Sequence, residues 1–267
     1  MMLESKKYFN PMLHSSIIER FFFILKLVIF VTLVVPLIIT SFFGRRFLPL
    51  LDKWFPLIFN KLLIWLLSVK IKYEGNKQKS KESNLYVCNH ISYLDIPILG
   101  SLMPLRFVAK SEVKDWPIFG FLSKLARTVY IKRVKSDTFL QKNKIFDLLS
   151  VGEKLLIFPE ATTSDGNRVL PFKSSVFSAL ENQSFIIQPL VIIYSDLNGI
   201  PINRWLMPVI AWYGDMELYP HLAILKDVKF ITVKIIYLDC INTNDFADRK
   251  DLSKYLEKKI NYVYSNY

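Results

Sequence analysis

Cysteine and histidine are both scarce in this chain of 267 residues, and their scarcity argues against two kinds of site. The two cysteines, Cys88 and Cys240, cannot build a disulfide framework. Both lie in apolar, strand-like runs, which is typical of buried thiols in a reduced, cytosolic domain. The three histidines, His14, His90 and His221, are too widely separated to show the spacing of zinc ligands. The sequence therefore predicts no metal site.

Nucleic-acid-binding signatures, internal repeats and low-complexity tracts are also absent from the sequence. Hydrophobic residues make up 52% of the chain and its mean hydropathy is +0.27, which excludes a disordered protein. The 35 lysines and arginines against 23 acids give a formal net charge of +12, so an anionic partner is expected. The apolar N-terminus disfavours nucleic acid and favours lipid headgroups or phosphorylated substrates. A membrane-surface protein without catalytic activity would carry the same charge.

One long apolar run near the N-terminus predicts membrane association. Residues Phe21–Phe43 contain a single charge, Lys26, and as a helix they would extend roughly 35 Å, enough to cross a bilayer. A second run, Trp54–Leu67, is shorter and is interrupted by Pro56 and Lys61, as in an interfacial or re-entrant helix. Because basic residues flank both sides, a single span and a hairpin in one leaflet both stay open. A buried helix of a soluble core is the third alternative.

The remaining sequence alternates short β-rich runs with helix-like stretches, the pattern of an α/β domain. We expect residues 1–72 to form a membrane-associated helical segment and residues 73–267 to form one α/β domain with a mixed sheet covered by helices. The predicted strands are Leu85–Cys88, Thr128–Lys132, Leu155–Phe158, Phe185–Tyr194 and Phe230–Leu238. The predicted helices are Thr138–Leu149, Ser174–Glu181 and Asp251–Tyr264.

A histidine follows the first predicted strand of this domain, at the strand end where α/β sheets build their sites. His90 and Asp95 are five residues apart, so their side chains would diverge on one regular helix. They meet only if His90 lies on the loop after the strand and Asp95 lies in the first turn of the next helix. Such a pair predicts a general base oriented by a carboxylate. The alternative is structural, with Ser92 as the helix N-cap and Asp95 as a capping-box acid.

Other strand ends also carry polar or charged residues. After Leu155–Phe158 come Glu160 and a loop with the hydroxyl groups of Thr162 and Thr163, which an ordinary turn would also explain. Cations that follow a strand or a turn form a second group: Lys132, Arg133 and Lys173. Such cations bind anions or simply lie in solvent, and both alternatives stay open from the residues alone.

Taken together, these blocks resemble the glycerolipid acyltransferase family, which includes the 1-acyl-glycerol-3-phosphate acyltransferases. The resemblance covers about residues 70 to 195, and the motifs occur in the order of the family. The matching residues are Asn89, His90 and Asp95 for N-H-x4-D, Val129–Arg133 for an apolar strand ending in arginine, Phe158–Glu160 with Thr162 for F-P-E-G-T, and Pro189 for the proline of a late apolar strand.

The chain departs from the family pattern at two glycines. The glycine usual just before the second motif is missing, and Arg127 and Thr128 stand there instead. In the third motif Ala161 replaces the glycine. An alanine is a small change, but it matters if the backbone at this position has a positive φ.

The resemblance implies a membrane-bound α/β acyltransferase with a two-helix N-terminal motif and an acyl-CoA or acyl carrier protein donor, with no other cofactor. Transfer to an alcohol requires a base for the hydroxyl proton, and an acceptor phosphate requires cations. The expected site is His90 and Asp95 for catalysis, Arg133 with Lys132 or Lys173 for the phosphate, and, by the resemblance, Glu160, Thr162 and Thr163 for acceptor binding.

The acceptor expected first is a lysophospholipid, 1-acyl-sn-glycerol-3-phosphate, which would give phosphatidic acid. A second acceptor stays open because Trp212–Met216 with His221 is similar to a segment of bacterial family members that acylate lyso-ornithine lipid. The same segment is also explained by a Gly-Asp turn between packed aromatic residues. A catalytically weak lipid-binding protein is a further alternative. The expected partners are membrane lipids and the acyl donor, without nucleic acid, and the expected location is a bacterial inner membrane with the catalytic domain on its cytoplasmic face.

Overall fold

Two helices precede the sheet in the computed structural model, which describes residues 17–44, 49–75, 83–117, 119–131, 138–181, 183–225 and 228–267. Helix α1 spans Ile17–Gly44 and helix α2 spans Pro49–Leu66. Within the described residues, only α1 is long and apolar enough to cross a membrane, and just 6% of its apolar window in Arg20–Phe42 is buried. Because α1 exposes nearly all of its apolar side chains, a lipid environment suits it.

Helix α2 differs from α1 because one side of it packs against the rest of the protein. Its buried residues include Phe55, Pro56, Leu57, Asn60 and Leu66. A Cβ on Gly100 would lie 2.1 Å from Asn60 Nδ2, so this glycine permits the close approach of α2. Beyond the end of α2, Ser68 Oγ accepts a hydrogen bond from Lys26 Nζ over 2.8 Å. The ammonium group inside the predicted span is therefore hydrogen-bonded to the residue that directly precedes the sheet domain.

A mixed sheet of nine strands lies at the centre of the described residues. The main path runs β1-β8-β6-β2-β5-β3-β4, with β7 and β9 paired to β6. Along this path β6 and β8 are antiparallel and the other neighbours are parallel. The strands are β1 (Val69–Gly75), β2 (Leu85–Cys88), β3 (Arg106–Lys110), β4 (Val129–Ile131), β5 (Leu155–Ile157), β6 (Ile186–Leu197), β7 (Ile200–Pro201), β8 (Ile231–Tyr237) and β9 (Ile241–Asn242).

Helices cover both faces of this sheet, as the alternation along β2 shows. Tyr86 and Cys88 belong to one buried cluster, and Leu85 and Val87 belong to the other. The helices are α3 (Asp95–Gly100), α4 (Phe119–Leu125), α5 (Thr138–Ser150), α6 (Leu218–Leu225) and α7 (Arg249–Ser265). The predicted fold class, a mixed α/β sheet covered by helices after two N-terminal helices, is confirmed.

Local details differ from the prediction. The sequence pattern did not predict β3, α4 or α6, and Ser174–Leu180 forms a 3₁₀ helix instead of an α-helix. Strand β1 crosses the boundary drawn between residues 72 and 73 and pairs with β8 along its whole length. Strand β1 has an alternating Val, Lys, Ile, Lys, Tyr pattern and directly follows the apolar N-terminal region. Composition alone therefore assigned its residues 69–72 to that region.

Candidate active site

Strand β2 ends at the loop that carries the predicted catalytic pair. Asn89, the first residue after the strand, is buried and forms two hydrogen bonds with the backbone of Ile192 in β6. Ile192 N–H donates to Asn89 Oδ1 over 2.9 Å, and Asn89 Nδ2 donates to the Ile192 carbonyl over 3.0 Å. This side chain satisfies the backbone groups of β6 where the ladder with β2 ends. Asn89 therefore fixes the point at which the chain leaves the sheet.

The structure brings His90 and Asp95 together. The distance from His90 Nδ1 to Asp95 Oδ2 is 2.7 Å. His90 lies on the loop and Asp95 is the first residue of α3, which is the arrangement that the five-residue spacing requires. The Asp95 side chain is fully buried, whereas the His90 side chain keeps 17% of its surface exposed. The imidazole is therefore reachable from solvent while its carboxylate partner is not.

Four hydrogen bonds surround the Asp95 carboxylate. Besides the His90 bond, Oδ2 accepts Ile91 N–H over 2.7 Å and Ser92 N–H over 3.0 Å. Oδ1 accepts the Tyr194 hydroxyl over 2.6 Å. Because an ionised carboxylate only accepts hydrogen bonds, four donors suit this form, and His90 Nδ1 is the protonated ring nitrogen. The Nε2 lone pair is then available to take a proton from a substrate.

The predicted capping box does not form, because Leu94 is the N-cap of α3, without a side-chain cap bond, and Asp95 is its first helical residue. Ser92 Oγ instead accepts Leu94 N–H over 3.3 Å within the loop, and the Asp95 carboxylate accepts Ser92 N–H. The bonds that order the loop thus also hold the carboxylate against His90. A structural role does not compete with the catalytic geometry here.

The predicted third motif holds His90 from the other side. His90 N–H donates to Glu160 Oε1 over 2.7 Å, and the His90 carbonyl accepts Ser164 N–H over 2.8 Å. The imidazole also stacks on the Phe158 ring, with centroids 3.9 Å apart and planes at 10°. Backbone and ring of His90 are therefore both fixed by the segment that follows β5.

Glu160 faces inward. Its second oxygen, Oε2, accepts Leu170 N–H over 2.7 Å, and the residue is buried. Burial raises the pKa of Glu160 to about 8, and the nearby charge of Asp95 adds to the increase. Both carboxylate oxygens bind backbone groups of the protein, so we propose a positioning role for Glu160 where the resemblance implied acceptor binding.

The other predicted binding residues lie around this segment. Thr162 is exposed and Thr163 is half-buried, both on the loop after Glu160. Lys173 has an exposed side chain, and its N–H donates to the Pro159 carbonyl over 2.8 Å, which keeps it beside the third motif. The second-motif cations, Lys132 and Arg133, lie outside the described residues, directly after β4. Their roles stay predictions.

A second polar cluster contacts the catalytic loop. It includes Trp212 and His221, which the sequence singled out, but their contacts with this loop were not predicted. Trp212 N–H donates to the Ile91 carbonyl over 3.1 Å, and the Tyr93 oxygen lies 2.8 Å from His221 Nδ1. His221 Nε2 lies 3.2 Å from the Pro208 carbonyl, so Nε2 carries the proton and Tyr93 donates to Nδ1. Burial lowers the pKa of His221, in keeping with this neutral form. The partners in this cluster are up to 128 residues apart in sequence, so no local pattern reveals them.

The arrangement supports direct attack by a substrate hydroxyl on a thioester. In such a reaction His90 Nε2 would remove the proton, and Asp95 would stabilise the resulting imidazolium through Nδ1. Cys88 is fully buried, and its burial raises the pKa of the thiol, so it does not suit a nucleophile. Among the described residues, no group of three or more His, Cys, Asp or Glu side chains is placed to bind a metal.

Comparisons with known proteins point to one enzyme family. A family model described as Acyltransferase matches residues 70–193. The chain is 34% identical to the lyso-ornithine lipid O-acyltransferase of Brucella abortus, over 82% of this chain and 85% of that protein. It is 30% identical to the 1-acyl-sn-glycerol-3-phosphate acyltransferase of Neisseria gonorrhoeae, over 67% and 68% of the two chains.

A solved structure shows the same fold. It is the 1-acyl-sn-glycerophosphate acyltransferase PlsC from Thermotoga maritima, with a TM-score of 0.62 at 20% identity, over 93% of this chain and 94% of that chain. At this identity the likeness concerns the fold alone. The relatives at 30% identity or more over at least two thirds of the chain carry the assignment, and the family model agrees with it: the chain belongs to the acyltransferase family and is an acyltransferase.

Proposed function

We propose that this acyltransferase transfers an acyl group from an acyl thioester to the free hydroxyl of a lysolipid at the membrane surface. The observation that carries the proposal is the 2.7 Å contact between His90 Nδ1 and the buried Asp95 carboxylate, which leaves Nε2 as a base. The hydroxyl oxygen forms the new ester bond, the thioester carbon–sulfur bond breaks, and the proton passes through Nε2 to the leaving thiolate. A well-placed general base contributes on the order of 10² to 10⁴ in rate.

Lyso-ornithine lipid is the acceptor that we place first. Relatives with this activity in their name, from Brucella abortus and Rhizobium meliloti, are 34% and 35% identical over at least 80% of this chain. The segment Trp212–Met216, which suggested this acceptor, contacts the catalytic loop through the bond from Trp212 N–H to the Ile91 carbonyl. This contact supports a role for the segment in binding the acceptor headgroup.

The second candidate acceptor is 1-acyl-sn-glycerol-3-phosphate. Relatives named for this reaction, such as that of Neisseria gonorrhoeae, cover two thirds of the chain. Arg133 occupies the second-motif position, where its guanidinium would bind the phosphate with Lys132 or Lys173. The two acceptors share the same chemistry at His90 and differ in the headgroup that must be bound.

The acyl donor and the location complete the proposal. We propose acyl-CoA or acyl carrier protein as the donor, because either supplies the thioester that the reaction consumes. We place the enzyme at a bacterial inner membrane with the sheet domain on the cytoplasmic face, where such donors are made. The exposed apolar surface of α1 and the charge of +12 suit an anionic bilayer.

An acceptor panel tests the proposal. The purified full-length protein is given one acyl-CoA with lyso-ornithine lipid, lysophosphatidate or glycerol 3-phosphate, and free thiol and acylated product are both measured. We expect rapid turnover with a lysolipid, and His90→Ala is expected to reduce kcat by at least about 10²-fold while membrane binding stays intact. Turnover by His90→Ala above about a tenth of the wild-type rate, in a folded variant, would refute the assignment of the base.

A further inference from the structure

A small aromatic cavity lies beside the catalytic loop and apart from the His90–Asp95 pair. Its volume is about 190 Å³, and it is lined by Trp116, Pro117, Phe119, Trp212, Leu218 and Tyr219. The rings of Trp116 and Trp212 meet at 81° with centroids 6.1 Å apart, so they form two walls at nearly right angles. Trp116 and Tyr219 are 41% and 63% exposed, which leaves the cavity open to an incoming group.

The cavity wall is attached to the catalytic loop at two points. Trp212 N–H donates to the carbonyl of Ile91, the residue next to His90. Tyr93 of the same loop contacts the Trp212 ring edge-to-face, with centroids 6.0 Å apart, and donates to His221 of α6. Helix α6 begins at the cavity wall. A molecule bound in the cavity would therefore contact residues that are hydrogen-bonded to the loop of His90.

One wall of the cavity is connected to the N-terminal helices. Phe119 is the first residue of α4, and α4 contacts α2, which follows the apolar helix α1 in sequence. This connection suits a headgroup subsite for a lipid acceptor whose tail stays in the bilayer beside α1.

The chemistry of the cavity favours a cation. Aromatic rings attract ammonium groups through their negative faces, and tryptophan does so most strongly. The stretch Trp212–Leu225 contains two acids, Asp215 and Glu217, and no lysine or arginine, although the chain as a whole carries a formal charge of +12. Both acids are exposed and lie close in sequence to Trp212, Leu218 and Tyr219 of the lining. The segment before Trp116 contains Glu112 and Asp115 with Lys114, so acids outnumber cations in both lining segments.

We propose that this aromatic cavity binds the ammonium group of an amine-bearing lysolipid acceptor and so selects lyso-ornithine lipid over lysophosphatidate. The inference rests on the proposed function, because it assigns the headgroup of the acceptor that His90 deprotonates. The ornithine side chain ends in a primary amine, whereas lysophosphatidate carries only a phosphate. The cavity thus determines specificity and takes no part in the chemical step.

Trp116→Leu is the informative variant because leucine keeps the site apolar and removes the aromatic face. Full-length wild-type and variant proteins are assayed with lyso-ornithine lipid and with the same lipid acetylated on its side-chain amine. We expect Trp116→Leu to raise KM for the lipid with the free amine by about 3- to 30-fold and to keep kcat within about twofold of wild type. The KM for the acetylated lipid is expected to stay unchanged. Trp205→Leu is the matched control, because Trp205 is 80% exposed and does not line the cavity.

Other outcomes overturn the inference. An equal rise in KM for both lipids would show that the cavity binds an apolar part of the acceptor, and no rise for either would show that it is not a subsite. A binding measurement with an ornithine lipid that lacks the reactive hydroxyl separates this test from catalysis. Tighter binding to wild type than to Trp116→Leu supports the subsite even if acyl transfer to every acceptor fails, whereas equal binding refutes it even if transfer succeeds.

Discussion

Asp95→Asn tests the catalytic pair more sharply than removal of either side chain, because the structure dictates how asparagine must sit. Three N–H donors, from His90, Ile91 and Ser92, converge on Oδ2, whereas only the Tyr194 hydroxyl reaches Oδ1. The amide oxygen is expected to replace Oδ2. The amide NH₂ group then faces the Tyr194 hydroxyl, which can rotate and accept.

The flipped amide would be much less stable. It would point NH₂ at the backbone donors of Ile91 and Ser92, and each buried group left unpaired costs about 1–3 kcal/mol. The flip therefore costs roughly 2–6 kcal/mol in total. The variant keeps the His90 tautomer and loses only the negative charge.

The expected loss of rate follows from that charge. An imidazolium about 4 Å from a unit negative charge gains about 4 kcal/mol at an effective dielectric constant of 20. Screening by the exposed side of His90 lowers this value, so we work with about 2–4 kcal/mol of lost transition-state stabilisation. At 1.36 kcal/mol for each factor of ten, kcat is expected to fall roughly 30- to 900-fold.

The assay is steady-state thiol release by full-length protein in mixed micelles, with circular dichroism to verify folding. Tyr194→Phe is the matched control, because it removes the remaining donor to Asp95 but leaves the charge in place; its kcat is expected to stay within about tenfold. Asp95→Asn activity above about a third of wild type would refute the claim that the Asp95 charge stabilises the transition state. A loss equal to that of Tyr194→Phe would assign Asp95 to loop order alone.

Four further predictions follow from the site and the helices. Since burial raises the folded-state pKa of Glu160 to about 8, its contribution to stability is complete below pH 4.5 and is lost as the pH rises through about 8; Glu160→Gln should flatten this decline in thermal denaturation. Ala161 has φ = 58°, so Ala161→Gly should stabilise the protein by about 0.5–1 kcal/mol in urea unfolding, and a loss of stability would contradict this. Arg133→Ala should raise KM for lysophosphatidate roughly 10- to 150-fold and change KM much less for an acceptor without phosphate, whereas equal effects would exclude a phosphate contact. The full chain should stay with membranes through a high-salt wash, because apolar burial is not screened; release by salt alone would show that surface charge holds it.

The catalytic pair could be predicted because its geometry is local. His90 and Asp95 lie five residues apart, and only a strand–loop–helix arrangement lets them meet. The spacing and the preceding apolar run therefore allowed the contact, and the resemblance to the acyltransferase family favoured it over the helix-capping alternative. The central strands were predicted for a similar reason. Strands such as β2 and β5 are buried on both faces and read as short continuous apolar runs.

The contacts that support the pair were not predictable, because they join residues far apart in sequence. Tyr194 reaches Asp95 across 99 positions, and Glu160 reaches the backbone of His90 across 70. A pattern within one segment does not encode such contacts. The inward direction of Glu160 shows the same limit, since a motif fixes which residue is present and leaves open whether its carboxylate faces substrate or backbone.

The two missing glycines connect the family's sequence pattern with the backbone conformation of this chain. Arg127 and Ala161 stand where the family pattern has glycine, and both have φ = 58°, a conformation that costs an L-residue about 1–2 kcal/mol. At Arg127 the side chain offsets this cost, because its guanidinium forms an ion pair with Glu153, which also binds Arg106. Ala161 carries only a methyl group; its N–H donates to the Phe158 carbonyl over 3.1 Å, and its backbone directly follows Glu160. Backbone strain at Ala161 therefore lies in the segment that holds His90. Ala161→Gly is expected to relieve this strain, and so to affect the position of the His90 imidazole as well as the free energy of unfolding.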